Sequence, residues 1–328
     1  MISCTLQTHS IGIDNMYSRI CKEVGLDKKH MVFPIFVQEP GMEIHCIDAM
    51  PEMTITPLSE TISQVQKVLD AGISSIIIFG IPKQRDRGAS YASKKNGIVQ
   101  RALLLIKGNF GKSVNVTTDV CICQYNFSGH CGVFKDNGKI DNDSTLHILS
   151  DIATSHAEAG ADIVAPSSMM DGQVLSIRRS LDKHGFKNTK ILSYSAKYHS
   201  SLYTPFRSAT FSNKCNYNKL NKSSYQIAYT NPKETMREIE CDIREGADMV
   251  MIKPSMAYLD VIYMIKKIFK FPLAVQNVSG EYAMVKAAGR RGWIEEEEAK
   301  VNSIVSIKRA GADRIVSYFA MDIARYLD

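Results

Sequence analysis

Four stretches of this sequence repeat one pattern: DAGISSIIIFG (70–80), EAGADIVAPS (158–167), REGADMVMIKP (244–254) and RAGADRIVSYF (309–319). Each sets a glycine between a helical pattern and a run of β-branched and apolar residues. Glycine suits a helix C-terminus because left-handed geometry costs it nothing. A nearly continuous apolar run suits a strand covered on both faces. Helix, glycine turn and buried strand, recurring in that order, describe a parallel α/β sheet. Further strand candidates fill the gaps at MVFPIFV (31–37), VNVTTDVCI (114–122), KILSYSAK (190–197) and FPLAVQNVS (271–279), bringing the total to eight. Eight strands alternating with helices predict a TIM (β/α)8 barrel. An open doubly wound sheet would more often carry a glycine fingerprint after its first strand, and none is present. GNFGKS (108–113) contains Gly-Lys-Ser, but Ile106 stands where the Walker spacing needs glycine.

A barrel absorbs most of the 328 residues as one domain, over 31–328, leaving 1–30 as a short N-terminal arm. With 45% hydrophobic and 23% charged residues the chain is an ordinary globular one, neither disordered nor collagen-like. The net charge of +6 is mild and spread along the chain. It favours small anions over nucleic acid as partners. No apolar run approaches the 18 or so residues of a membrane span, and the first residues lack a secretory pattern. A cytoplasmic protein with reduced cysteines is expected. Of the eight cysteines, Cys121, Cys123 and Cys131 crowd together, while Cys4, Cys21, Cys46, Cys215 and Cys241 are scattered. Glu295–Glu298 reads as the acidic first turn of a helix.

A barrel places chemistry at the C-terminal ends of its strands. Those ends carry Asp119, Cys121 and Cys123 on the third strand, Ser167 after the fourth, Lys197, Lys253, Ser279 and Tyr318. A lysine closing an apolar strand is desolvated, which lowers its pKa, and a second lysine nearby lowers it further. On this reasoning both Lys197 and Lys253 are expected to lean toward the neutral amine that Schiff-base formation needs. Each could instead cap its strand and reach to solvent. Asp119, Cys121 and Cys123 are spaced to share one strand face. With Cys131 they offer three thiolates, leaving a fourth tetrahedral position open as in catalytic zinc sites. The bland alternative is three buried thiols. His130 is a candidate ligand or a loop residue.

Together these segments resemble the δ-aminolevulinic acid dehydratases, or porphobilinogen synthases. The resemblance runs from about Phe33 to Tyr326 through FPIFV (33–37), FGIP (79–82), DVCIC…GHCG (119–132), APS-MMDG (165–172), SYSAK (193–197), PFR (205–207), YQ (225–226), EGADMVMIKP (245–254), VSGEYAMVKAAG (278–289) and SIKRAGAD (306–313). It implies a hydro-lyase that condenses two 5-aminolevulinate molecules to porphobilinogen with loss of two waters, in tetrapyrrole (heme) synthesis. It assigns Lys253 to the Schiff base with the substrate that becomes the propionate side, the P site. Lys197 would engage the second substrate in the A site, and Asp119 would assist proton transfer. Cys121, Cys123 and Cys131 would hold catalytic zinc. Ser279 and Tyr318 would bind the P-site carboxylate, and Arg207, Lys222 and Gln226 the A-site carboxylate from a lid at 212–224. It also implies a homo-octamer built from dimers and allows magnesium at an allosteric site.

The sequence departs from the family pattern at several points. Ser168 replaces an acid, Gln173 an arginine, and Lys222 a lid arginine whose bidentate fork lysine cannot reproduce. Gln124 replaces proline, and Asn126-Phe127-Ser128 replaces a Thr-Ser-His-like run. These changes leave open a weaker activity, a diverged Schiff-base lyase or aldolase, and a non-catalytic paralogue that binds metal or ligand.

Overall fold

The computed structural model describes residues 13–43, 47–210 and 222–328. Its eight barrel strands are β1 (Met31–Gln38), β2 (Ser75–Ile81), β3 (Asn115–Val120), β4 (Ile163–Pro166), β5 (Lys190–Lys197), β6 (Met249–Lys253), β7 (Leu273–Gln276) and β8 (Arg314–Val316). All pair in parallel, in chain order, and β8 returns to β1 through Met31↔Ile315 and Val32↔Val316, so the barrel closes. Closure removes every open edge. A short strand, Ile55–Pro57, extends the sheet outside β1, and a two-residue ribbon joins Val133–Phe134 to Ile140–Asp141. Helices run between consecutive strands, among them Ile98–Phe110, Asn142–Glu158, Gln173–Lys183, Pro232–Glu245 and Leu259–Phe269.

The repeated glycines behave as the pattern predicts. Gly72, Gly160, Gly246 and Gly311 have φ of 81°, 102°, 103° and 118°, ending a helix in the left-handed region before each even-numbered strand. The aspartate two residues later has a job that the pattern did not disclose. Asp162, Asp248 and Asp313 precede β4, β6 and β8, and each accepts a backbone N–H from the start of the odd strand beside it. The donors are Val116 (2.7 Å), Ile191 (2.8 Å) and Leu273 (2.8 Å). Lys107 and Lys266 add charge to two of these carboxylates at 2.5 Å. The bottom of the barrel is thereby pinned strand to strand.

Apolar strand residues fill the interior, and Phe36, Phe79, Phe206 and Tyr318 form an aromatic group toward the mouth. Of the expected N-terminal arm, residues 1–12 lie outside the described residues. The helix Ile13–Glu23 packs on the chain's own barrel, with Tyr17 edge-on to Tyr326 at 5.2 Å and Cys21 buried. The tetrad of glutamates opens the helix Glu296–Ala310, where Lys286, Lys300 and Arg325 pair with Glu296 and Glu297. Among the described residues no helix is long and apolar enough to cross a membrane.

Phe36 is fully buried at the centre of the aromatic group. Phe36→Ala is expected to lower unfolding free energy by about 3–5 kcal/mol. The exposed Leu104→Ala should move it by no more than about 0.5 kcal/mol. Denaturant midpoints measure both, and equal shifts would contradict this packing.

Candidate active site

The site begins with one extra residue. From Ser193 to Ala196 strand β5 advances three positions while β6 advances two, from Val250 to Ile252. Ser193 and Ser195 both bond to Asp242, on the helix outside the barrel. Regular alternation would send Lys197 outward after them. The bulge reverses that parity and sets Lys197 directly beside Lys253 as its cross-strand partner. Both lysines are buried.

Their electrostatics differ, and here the expectation of two lowered lysines fails. Burial and the Lys197 ammonium lower Lys253 to about 7. Its Nζ lies 5.2–5.3 Å from the rings of Tyr194, Tyr203 and Phe206, an apolar surround that offers no carboxylate partner. Burial also disfavours charge on Lys197, but Cys131, Cys121, Cys123 and Asp119 outweigh it and raise this lysine. Its Nζ donates to the carbonyl of Ser167 at 2.5 Å. The surroundings of one strand-end lysine favour its ammonium form, and those of its neighbour favour the amine.

The cysteines correct a second expectation. Strand β3 stops at Val120, so Cys121 and Cys123 lie in the following turn, where Tyr125 and Asn126 N–H groups return to the Ile122 carbonyl. The turn, and not a strand face, brings them together. The sulfurs of Cys121, Cys123 and Cys131 lie within 4.8 Å of one another and are buried, the one group of three such donors among the described residues. Hydrogen bonds from Cys121 and Cys123 hold Cys131 well below the ordinary thiol range, with burial opposing and Lys197 and Lys222 assisting. Bonds to Cys121 and Cys131, and burial, push Cys123 up. A buried trio of soft donors, with one already favoured as thiolate, fits a divalent, thiophilic ion.

Asn126 and Gln124 hold this turn. Asn126 accepts from the Gly129 N–H (2.7 Å) and the Ser128 hydroxyl (2.8 Å), and donates to the His130 carbonyl (2.8 Å). Asp119 accepts from the Ser167 hydroxyl at 2.7 Å and the Gln124 amide at 3.1 Å. Burial pushes its carboxyl up, against these bonds and Lys197. The other face of Gln124 accepts from Cys123, so this side chain links carboxylate to thiol.

The expected carboxylate anchors fall into two groups. Ser279 is not a strand end: β7 stops at Gln276, and Ser279 opens the helix Ser279–Arg290. Its hydroxyl accepts from Phe206 N–H at 3.1 Å and donates to the Leu202 carbonyl at 3.2 Å. The backbone of Leu202 comes so near that a Cβ on Gly280 would sit 2.6 Å from it, which only glycine permits. Tyr318 stacks on Phe36 and keeps a buried hydroxyl with no protein partner. On the other side, Gln226 has a buried, unpartnered side-chain oxygen. Lys222 opens the same segment, and Arg207 lies over the Tyr203 ring at 5.6 Å. Most of the expected lid, 211–221 with Cys215, lies outside the described residues, as do Cys4 and Cys46. Cys241 is exposed.

Sequence reasoning missed Glu281. Its buried carboxylate accepts from Ser255 N–H and hydroxyl, Met256 N–H, Asn277 amide and Val278 N–H, at 2.6–3.0 Å. Asn277 in turn accepts from Ser317. The loops after β6, β7 and β8 are tied together there. The GEY motif carried this residue, but no spacing rule gives it a task.

A closed parallel barrel with two buried, paired lysines and a thiol trio able to hold a metal at its mouth has the architecture of a barrel enzyme. The family model for delta-aminolevulinic acid dehydratase matches residues 7–326. Curated relatives of that name from Archaeoglobus fulgidus and Bacillus subtilis are 47% and 44% identical over 306 residues, each covering 93% of both chains. The crystal structure of the Toxoplasma gondii enzyme, bound to its reaction product porphobilinogen, superposes with a TM-score of 0.88 at 35% identity. It covers 98% of this chain and 92% of that one. The chain belongs to the delta-aminolevulinic acid dehydratase family, the porphobilinogen synthases, which are hydro-lyases.

With Lys253 titrating near 7, its condensation with a keto acid, trapped by borohydride and located by peptide mass, should rise with pH through about that value. Lys197→Gln removes the neighbouring ammonium that lowers Lys253, so the midpoint should move to higher pH. An unmoved midpoint would show that the two lysines do not sense each other.

Proposed function

We propose that this chain is a zinc-dependent porphobilinogen synthase in which Lys253 forms the Schiff base and Lys197 serves the second substrate. The observation that carries the reading is the cross-strand pairing of two buried lysines, Lys253 lowered by burial and by its neighbour, Lys197 raised by the thiols and Asp119. An amine at Lys253 attacks the ketone of the first 5-aminolevulinate, and water leaves as the imine forms. The aromatic surround excludes water that would reverse that step. The Tyr318 hydroxyl, buried without a partner, is the donor for the P-site carboxylate. Ser279 holds the loop 202–206 against that pocket and can share its proton with the same carboxylate. Arg207, Lys222 and Gln226 supply cationic and amide donors for the A-site carboxylate. Asp119, held by Ser167 and Gln124 beside Lys197, takes and returns protons. Cys121, Cys123 and Cys131 would hold the zinc, which supplies Lewis-acid polarisation and orientation of the second substrate.

Two of the departures noted in the sequence lie in the interior. Ser168 is fully buried. Gln173 does not line the lysines but a cavity of about 170 Å³ with Glu238, Asp242, Glu245 and Asp171. That cavity supports a second proposal, an allosteric magnesium ion. Burial and neighbouring acids raise Glu238 to about 7, burial raises Asp242 to about 6, and the Gln173 side-chain oxygen is buried there without a partner. Oxygen donors with surplus negative charge suit a hard cation. We place the chain in the cytoplasm as a homo-octamer built from dimers. Both follow what the family resemblance implies.

Purified protein given 5-aminolevulinate should form porphobilinogen, lose activity to a zinc chelator and regain it with zinc. Lys253→Ala should reduce kcat by about a thousandfold or more, and full activity in that variant would sink the mechanism. Magnesium is expected to stimulate the native enzyme and to lose that effect in Glu238→Gln, with zinc content unchanged by metal analysis.

A further inference from the structure

Tyr225 lies between Lys222 and Gln226, the two described anchors on the A-site segment, and its hydroxyl leaves that segment for the thiol loop. The Cys131 N–H donates to it at 3.4 Å, and it stands 3.2 Å from His130 Nδ1. Its ring lies edge-on to His130, at 6.1 Å between centroids, and packs against the three thiols. Behind it the chain is fixed to the lysine strand: Ile227 N–H donates to the Lys197 carbonyl at 3.2 Å and His199 N–H to the Ile227 carbonyl at 2.9 Å. In front of it, Tyr225 and Gln226 N–H groups return to the Lys222 carbonyl, closing one turn that sets both anchors. A single phenol thus spans the substrate-anchoring turn and the backbone of Cys131.

We propose that Tyr225 is a positioning residue that couples ion binding at the thiol trio to carboxylate binding by Lys222 and Gln226. The inference rests on the zinc reading given above. An ion fixes Cys131; the Cys131 N–H and His130 fix the phenol; the phenol fixes the turn that presents the anchors. Coupling of this kind is reciprocal, so substrate in the A site must tighten the ion by the same factor. Phenylalanine keeps the ring against the thiols and removes both polar links, separating the coupling from the packing.

The test uses the full chain carrying Lys253→Ala, in which no Schiff base forms and substrate persists. Zinc affinity is measured by competition with a chromophoric chelator, with and without 5-aminolevulinate. With Tyr225 intact, substrate is expected to tighten zinc about three- to tenfold, the scale of one or two hydrogen bonds. Tyr225→Phe should lower that factor severalfold while zinc still binds, leaving the part that direct contact between ion and second substrate supplies. The same factor in both proteins, or no factor with Tyr225 intact, overturns the proposal. Cys123→Ser separates the two levels. If it leaves zinc affinity unchanged, the metal reading itself falls and the coupling falls with it. If it abolishes binding while the factor ignores Tyr225, only the coupling is wrong.

Discussion

The site depends on one inserted residue in β5. Parity along a strand is binary, so a single bulge decides whether Lys197 meets Asp242 outside the barrel or Lys253 within it. Inside, the low dielectric makes each neighbouring charge count. Lys253 senses Lys197 and gives up its proton readily, while Lys197 senses three thiols and Asp119 and keeps its own. Three thiolates around a divalent cation still carry net negative charge, so the sign of that influence survives an ion. Two identical side chains acquire different proton affinities from position alone.

The rest of the mouth serves to hold this pair. Glu281 binds the loops after β6 and β7 with five donors and reaches β8 through Asn277 and Ser317. Burying a carboxylate without a cation is costly unless its oxygens are fully hydrogen-bonded, and here they are. Phe36, Phe206 and Tyr318 form a continuous aromatic wall from the Lys253 amine to the unpartnered Tyr318 phenol, and the Tyr194 hydroxyl is a second buried phenol without a partner. The amine and the free Tyr318 hydroxyl are thus held on one rigid surface.

Much of this was legible in the sequence because it is carried by local pattern. The glycine turns, the eight apolar runs and the strand-end lysines each follow from residue type and spacing. The bulge was not legible, since KILSYSAK reads as regular alternation whichever residue is extra. The sign of the Lys197 shift was missed because it depends on thiols some 70 positions away in the chain. Cys121 and Cys123 were placed on a strand because alternation and a tight turn both give a spacing of two. Tyr225 and the repeated aspartates had no task legible in the sequence, because each has among its partners a backbone N–H of another element, which no side-chain pattern records.

Those aspartates sit at the end of the barrel away from the chemistry. Asp162, Asp248 and Asp313 secure strands in pairs where no substrate comes, and the reactive groups project from the opposite rim. Cohesion and reactivity therefore draw on different residues. A lineage could rewrite the rim without loosening the barrel that carries it. Drift in substrate preference or metal demand would leave the scaffold's melting behaviour largely untouched, and loss of a basal aspartate would do the reverse.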